Sequence, residues 1–237
     1  MSAIVELRSV DKDYPLGNTV VKALKGIDLT IRRGEFTTIA GPSGSGKTTV
    51  LNLIGCIDIP TRGQVLIDGQ STSELSDSEL TDLRLHKLGF IFQSFNLIDV
   101  LDVFHNVEFP LLLQGELSKA ERKKRVEEMV EKVDLTPQLT QRPNELSGGQ
   151  RQRVAIARAL VTQPQIVMAD EPTANLDSTT GRNIIDLMRH INQTMDTTFI
   201  FSSHDPKIIE RAERVIELVD GQVSHDEHRE VLEEATA

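Results

Sequence analysis

Cysteine is almost missing from this chain of 237 residues, and the lone Cys56 excludes an internal disulfide. It lies in the apolar run from Val50 to Ile57, apart from any ligand cluster, and reads as core. A fold without disulfides fits a reducing, cytoplasmic setting. Long apolar runs are missing too. The longest, such as Pro110 to Leu113 and Ile166 to Ala169, fall far short of the roughly 20 residues of a membrane helix. The opening, Met1 to Val10, has no charged region followed by a long apolar one, so a signal peptide is not expected. Any membrane involvement should therefore come through a partner. Positive charge is in deficit: 26 Lys and Arg stand against 36 Asp and Glu, a formal net charge of -10. The overall field repels nucleic acid and anionic lipid, so a bound polyanion needs a local site.

What is present is a globular composition, with 38% hydrophobic and 26% charged residues, which excludes a disordered chain; the length suits one sizeable core with a smaller lobe or two small, closely packed domains. Short β-type runs alternate with helical patterns, the signature of an α/β core with a largely parallel sheet. The runs are Glu35 to Ala40, Gly89 to Phe92, Ile166 to Asp170, Thr198 to Ser202 and Val215 to Val219. The opening segments, Ile4 to Val10 and Gly26 to Ile31, read instead as an antiparallel β subdomain, with Tyr14 to Asn18 as a turn. Ser118 to Glu121 has capping-box spacing, and Val126, Met129, Val130 and Val133 follow at helical intervals. Ser76 to Glu79 repeats the device, for a helix running to about His86. The predicted organisation is one domain: a core over 1–93 and 147–223, a helical insertion over 94–146, and an acidic, helix-prone tail over 224–237. No internal repeat is visible, and no regulatory domain is expected after His204.

Gly41-Pro42-Ser43-Gly44-Ser45-Gly46-Lys47-Thr48 fits the phosphate-loop pattern completely. It follows a β-type run and precedes an apolar helical pattern from Thr49 to Ile57. Its glycines let backbone N–H groups turn inward around an anion, and the helix start adds partial positive charge. That pattern predicts ATP binding and hydrolysis on a P-loop NTPase core. Lys47 would sit between the β- and γ-phosphates, Thr48 would coordinate Mg²⁺, and Thr49 could bond the α-phosphate.

The run Ile166 to Ala169 is apolar until it ends in Asp170 and Glu171, as a buried strand does when it delivers carboxylates to the ligand edge of a parallel sheet. Asp170 is then the Mg²⁺ partner, directly or through water, and Glu171 the group that polarises the attacking water. Thr198 to Ser203 ends likewise in His204, which could donate to the γ-phosphate or to that water. Gln93 ends the run Leu88 to Phe92, and its amide can touch Mg²⁺ or water without adding charge.

Leu146-Ser147-Gly148-Gly149-Gln150 is more specific, since P-loop kinases and GTPases lack it. With it, the sequence resembles the nucleotide-binding subunits of ABC transporters over roughly Ile4 to Val223. No N-K-x-D or T-K-x-D guanine-reading motif is present, so GTP is disfavoured. Ser147 caps a helix through Val154, Ala157 and Val161, giving a second anion-binding helix start. The resemblance implies two subunits packed head to tail, with Ser147, Gly148, Gly149 and Gln150 of one closing on ATP held by Lys47 of the other. It also implies that Asp177, in Asn175-Leu176-Asp177, links the two sites, and that Tyr14, the only tyrosine, stacks on adenine. Tyr14 could alternatively be a turn aromatic packed on the β subdomain.

Within the family the narrower likeness is to the lipoprotein-release (LolD), macrolide-efflux (MacB) and related export ATPases, carried by Leu51 to Asp58 and Phe92 to Ile98. Ala174 stands where those subgroups often have glycine, and Ser203 where threonine is common; neither removes a needed chemical group. The implied partners are a second copy and a separate integral membrane subunit, with the chain peripheral on the inner face of the membrane. The segment Ser94 to Pro110 would receive a short helix of that subunit, although Phe95, Leu97, Val103 and Phe104 could equally fill a local core. Alternatives are an uptake subunit or a soluble ABC ATPase uncoupled from transport. The second lacks support, because the chain has neither a long coiled-coil insertion nor two such domains.

Overall fold

The computed structural model describes residues 2–229. In chain order the elements are β1 (Ala3–Leu16), β2 (Thr19–Arg32), β3 (Phe36–Ala40), α1 (Lys47–Ile54), β4 (Arg62–Ile67), β5 (Gln70–Ser71), α2 (Asp77–Lys87) and β6 (Leu88–Ile91). Then come α3 (Val103–Gln114), α4 (Lys119–Lys132), α5 (Gly148–Leu160), β7 (Ile166–Ala169), α6 (Ser178–Met195), β8 (Thr198–Ser203), α7 (Pro206–Ile209), β9 (Arg214–Val219) and β10 (Gln222–His228). Contacts divide the chain into two compact units: Leu75–Thr198, and the residues on either side of it.

In the first unit, β1 and β2 form a long antiparallel hairpin, and a sheet runs in the order β2-β1-β4-β5. The hairpin loop is only Gly17 and Asn18, because Leu16 already pairs with Thr19. The predicted turn over Tyr14 to Asn18 is thus shorter than expected, and Pro15 lies within β1. Beyond Asp11 no residue of β1 is in register with β4, so Pro15 sits where β1 is an edge and a missing N–H costs no ladder bond. The same unit holds β3 between β8 and β9, parallel to both, with β10 antiparallel to β9. Every residue of β3 and β8 is buried, which is why these strands read as continuous runs without alternation. Phe36 packs on Phe199 and Phe201 with ring centroids 5.8 and 5.0 Å apart. Each such fully buried ring contributes about 2–3 kcal/mol.

Residues 224–228 do not begin a helix-prone tail; they complete β10. Asp220 (φ 49°) and Gly221 (φ 78°) form a two-residue hairpin loop with both angles positive, and this returns the chain alongside β9. Arg214, 7% exposed, fastens the return: Nε and Nη2 donate to both oxygens of Asp226 (2.8 and 2.7 Å), and Nη1 donates to Glu35 and to the Thr30 carbonyl. The rest of the predicted tail, 230–237, lies outside the described residues.

The bonds from Arg214 outweigh partial burial and hold the Asp226 carboxyl below the usual carboxylate range. A pKa lowered by folding adds stability that is complete above the ordinary value, near ~4, and is lost as pH falls through the depressed one. Asp226→Asn should cost about 1 kcal/mol at neutral pH, discounted for the partial exposure of this group. The gap from wild type should close on acidification, as urea unfolding at the two pH values would show.

In the second unit β6 and β7 are parallel neighbours. Capping boxes start α2 at Ser76 and α4 at Ser118, each with its Glu three residues on. The stretch from Ser94 to Leu146 contains no strand; α3 and α4 dominate it. Asn106, fully buried on α3, accepts from Ile98 N and donates to the carbonyls of Ile98, Leu101 and Asp102. One side chain therefore fixes the whole loop that enters the helix. The architecture is an α/β P-loop NTPase core with an N-terminal antiparallel sheet and a helical insertion.

Candidate functional site

The phosphate loop joins β3 to α1, and the helix starts at Lys47, two residues before the predicted Thr49, because Gly46 serves as its N-cap. Gly46 has φ 106°, and a Cβ there would lie 2.8 Å from Leu24 Cδ2 and 2.9 Å from the Ala23 carbonyl. Only glycine lets the loop press so closely on β2. Below it, Gly221 N donates to the Ser45 carbonyl (3.1 Å) and Lys25 N to the Gly221 carbonyl (2.8 Å), so the β9–β10 turn ties the loop to β2. Pro42, Ser43 and Gly44 are exposed, while Ser45 and Lys47 are buried.

Lys47 Nζ donates to the carbonyls of Gly41 and Pro42, 2.9 Å each. Among the described residues its partners are carbonyls, with no carboxylate, so this buried cation meets no neutralising charge there. Ser45 Oγ, also buried, has no hydrogen-bond partner among the described residues. A helix start, an uncompensated ammonium and an orphan hydroxyl together fit a phosphate anion. Thr48 and Thr49 lie in the first turn of α1. Ala40 and Ser203 are register partners, so Gly41 and His204 leave neighbouring strands at one sheet edge. His204 is exposed there, and Asp205 caps α7. Tyr14 is half-buried and its hydroxyl donates to Asp58 (2.7 Å).

The second unit repeats the edge design. Ile91 pairs with Ala169, and Asp170 N donates to the Ile91 carbonyl, so Gln93 and the pair Asp170 and Glu171 emerge together. Gln93 is exposed, and its carbonyl accepts from Asn175 Nδ2 at 2.9 Å. Both acids are partly exposed, and Glu171 has φ 48°, in the left-handed region.

Ser147 caps α5 as expected. Its hydroxyl accepts from Gln150 N (3.2 Å), and Gln150 Oε1 accepts from Ser147 N (2.9 Å). Asp177 caps α6, accepting from Thr179 N, Thr180 N and Thr180 Oγ1, the last at 2.6 Å. The bond from Thr180 leads in holding its carboxyl below the usual range. Gly148 faces Leu176, and a Cβ on Gly149 would lie 2.7 Å from Thr180 Cγ2. The Ser147–Gln150 and Asn175–Asp177 loops are thus packed on each other within one chain. Gly149→Ala should cost about 1 kcal/mol in thermal unfolding, recovered by adding Thr180→Ser, which removes the methyl but keeps the hydroxyl on Asp177.

Arg151 and Arg158 shape the loop after Gln93 without any motif signal of their own. Phe95 (φ 63°) and Asn96 (φ 47°) place the loop after Gln93 in consecutive left-handed conformations. Arg158 donates to both of their carbonyls, and the Arg151 guanidinium lies 5.2 Å from the Phe95 ring centroid. The two arginines are seven apart on α5, hence on one face, and that spacing was the only available clue.

Among the described residues no cluster of three His, Cys, Asp or Glu could hold a metal, and no helix is long and apolar enough to cross a membrane. A profile of the ABC transporter family matches residues 24–174. The chain belongs to the ABC transporter family. It is 47% identical to an uncharacterized ABC transporter ATP-binding protein of Methanocaldococcus jannaschii, over 94% of this chain and 97% of that one. A solved dimeric structure of that cassette, in a post-hydrolysis state bound to ADP and Pi, superposes with a TM-score of 0.86 over 94% of this chain and 98% of that one. The lipoprotein-releasing ATP-binding protein LolD 1 of Rhodopseudomonas palustris is 43% identical over 94% of this chain and its own full length. The macrolide export ATP-binding/permease protein MacB of Wolinella succinogenes is 45% identical over 94% of this chain, which spans 34% of that longer protein.

Proposed function

We propose that this chain is the ATP-binding and ATP-hydrolysing subunit of an ABC transporter, working as a head-to-tail homodimer that drives a separate membrane subunit. The observation that carries the reading is the buried Lys47, which meets only carbonyls inside a complete phosphate loop at a helix start. Gly41 to Lys47 cradle the β- and γ-phosphates, and Thr49 bonds the α-phosphate. Thr48, Gln93 and Asp170, the last directly or through water, would offer hard oxygen donors to Mg²⁺, few enough to suit an ion that keeps several waters and would screen the charge on the phosphates. Glu171 accepts the proton of the attacking water, and His204 donates to the γ-phosphate or orients that water. Ser147, Gly148, Gly149 and Gln150 of one copy offer the α5 start and its amides to ATP held by the other copy, with Asp177 linking the two sites.

The likeness to LolD and MacB supports export over uptake, and with it a peripheral position on the inner face of the membrane, reached through the partner subunit. Val103 is core, so part of the Ser94–Pro110 segment is filled from within; Val100, Phe109, Leu112 and Leu113 are the exposed apolar side chains offered to a helix of the membrane subunit. The direct test is Mg²⁺-dependent phosphate release from ATP by the purified chain. Release is expected, and its absence at saturating ATP and protein would overturn the enzymatic reading.

A further inference from the structure

The Tyr14 ring is held on more than one side by two charged residues to which the sequence motifs assign no role. Lys12 and Tyr14 are two apart on β1 and share a face of the sheet. Lys12 is 8% exposed, and its Nζ lies 4.8 Å from the Tyr14 ring centroid. The same ammonium donates to Asp58 Oδ1 (2.5 Å) and to the Ile59 carbonyl (2.8 Å). Asp58 Oδ2 accepts from the Tyr14 hydroxyl at 2.7 Å, and Oδ1 also accepts from Ile59 N at 2.8 Å. Burial works against the Asp58 charge, but the bonds from Lys12, Tyr14 and Ile59 prevail and hold its carboxyl below the usual carboxylate range. Burial and the carboxylate acceptor both raise the Tyr14 hydroxyl pKa, so it remains a donor.

Two consequences follow for the ring. The hydroxyl bond fixes its direction to a residue just beyond the end of α1, the helix whose first turn carries Lys47, Thr48 and Thr49. Lys12 occupies one ring face, so a planar ligand can stack only on the other. A cation on one face also draws on the π charge, easing repulsion from an electron-rich base on the opposite side.

We propose that Lys12 and Asp58 are positioning residues for the adenine base, holding Tyr14 at a set orientation and distance from the phosphate loop so that base and triphosphate engage together. The inference rests on the reading of Tyr14 as the residue that stacks on adenine. A purely structural Lys12–Asp58 pair would affect every ligand alike, whereas a positioning pair acts only on ligands with a base.

The test compares ATP with inorganic tripolyphosphate, both by titration calorimetry, alongside steady-state phosphate release. Tyr14→Ala, Asp58→Asn and Lys12→Met should each weaken ATP binding about threefold to tenfold, from the size of stacking and cation–π terms, with a matching rise in KM for ATP and tripolyphosphate affinity little changed. Lys12→Arg should recover most of the loss. In a Tyr14→Ala background, Asp58→Asn should have no further effect on ATP. If Asp58→Asn does not fold, Tyr14→Phe, which removes only the hydroxyl, should show the same selective loss. Equal loss for both ligands, or an undiminished Asp58→Asn effect without the ring, overturns the positioning role. A normal ATP affinity for Asp58→Asn and Lys12→Met beside a weakened Tyr14→Ala overturns it and leaves the stacking reading intact. A normal Tyr14→Ala overturns the stacking reading itself.

Discussion

Glu171→Gln should bind ATP as the wild type does, lose turnover by about 10²–10⁴-fold, and accumulate as an ATP-stabilised dimer. The change is nearly isosteric and removes one charge. Glu171 lies just past β7 at φ 48°, a conformation disfavoured for a side chain of this kind and retained only because its surroundings enforce it. Its carbonyl accepts from Ala174 N, so the backbone turn persists when the side chain changes. What disappears is the carboxylate that takes the proton from water. With hydrolysis stopped, the γ-phosphate contacts that favour the closed dimer are never released, and the population stays shifted towards it. Size-exclusion chromatography with ATP should show a dimer peak absent with ADP, and nucleotide analysis of that peak should find ATP. A variant with ordinary phosphate release would remove Glu171 from the base role.

The elements that were legible in the sequence are those specified by neighbours along the chain. β3 and β8 are unbroken apolar runs, and Ser76, Ser118 and Ser147 announce helices through residues three positions later. The phosphate loop was legible for the same reason, since its glycines, lysine and threonine are contiguous. What escaped were contacts made by topology. Lys12 meets Asp58 from 46 residues away, Arg158 reaches Phe95 from 63, and Arg214 reaches Glu35 from 179. No local pattern encodes such partners. Acidity misled for the 224–228 segment, because Asp226 is neutralised by an arginine that only strand pairing brings alongside. The left-handed backbone at Glu171, Phe95 and Asn96 was equally hidden, being imposed on residues that do not favour it.

Ser147→Arg should lower hydrolysis at least about 100-fold while leaving ATP affinity within a few-fold, since a lost preorganised anion-binding group costs a rate of that order. Ser147 is exposed at the start of α5, where its hydroxyl accepts from Gln150 N. Losing that cap alone costs about 1 kcal/mol of stability. Ser147→Ala therefore isolates the capping loss, and arginine adds bulk and charge where the partner's γ-phosphate should dock. Lys47, the carbonyls it meets and Ser45 are untouched by either change, so the first encounter with ATP should be preserved. A parallel collapse of affinity would count against the shared site. The decisive form of the experiment mixes Ser147→Arg chains with Lys47→Ala chains, each inactive alone. In a head-to-tail heterodimer, the intact Lys47 of the first chain faces the intact Ser147 of the second, so one composite site is wild type and phosphate release should reappear. If Lys47 and Ser147 instead served the same ATP within one chain, every site in the mixture would carry a defect, and no ratio of the two proteins could restore activity.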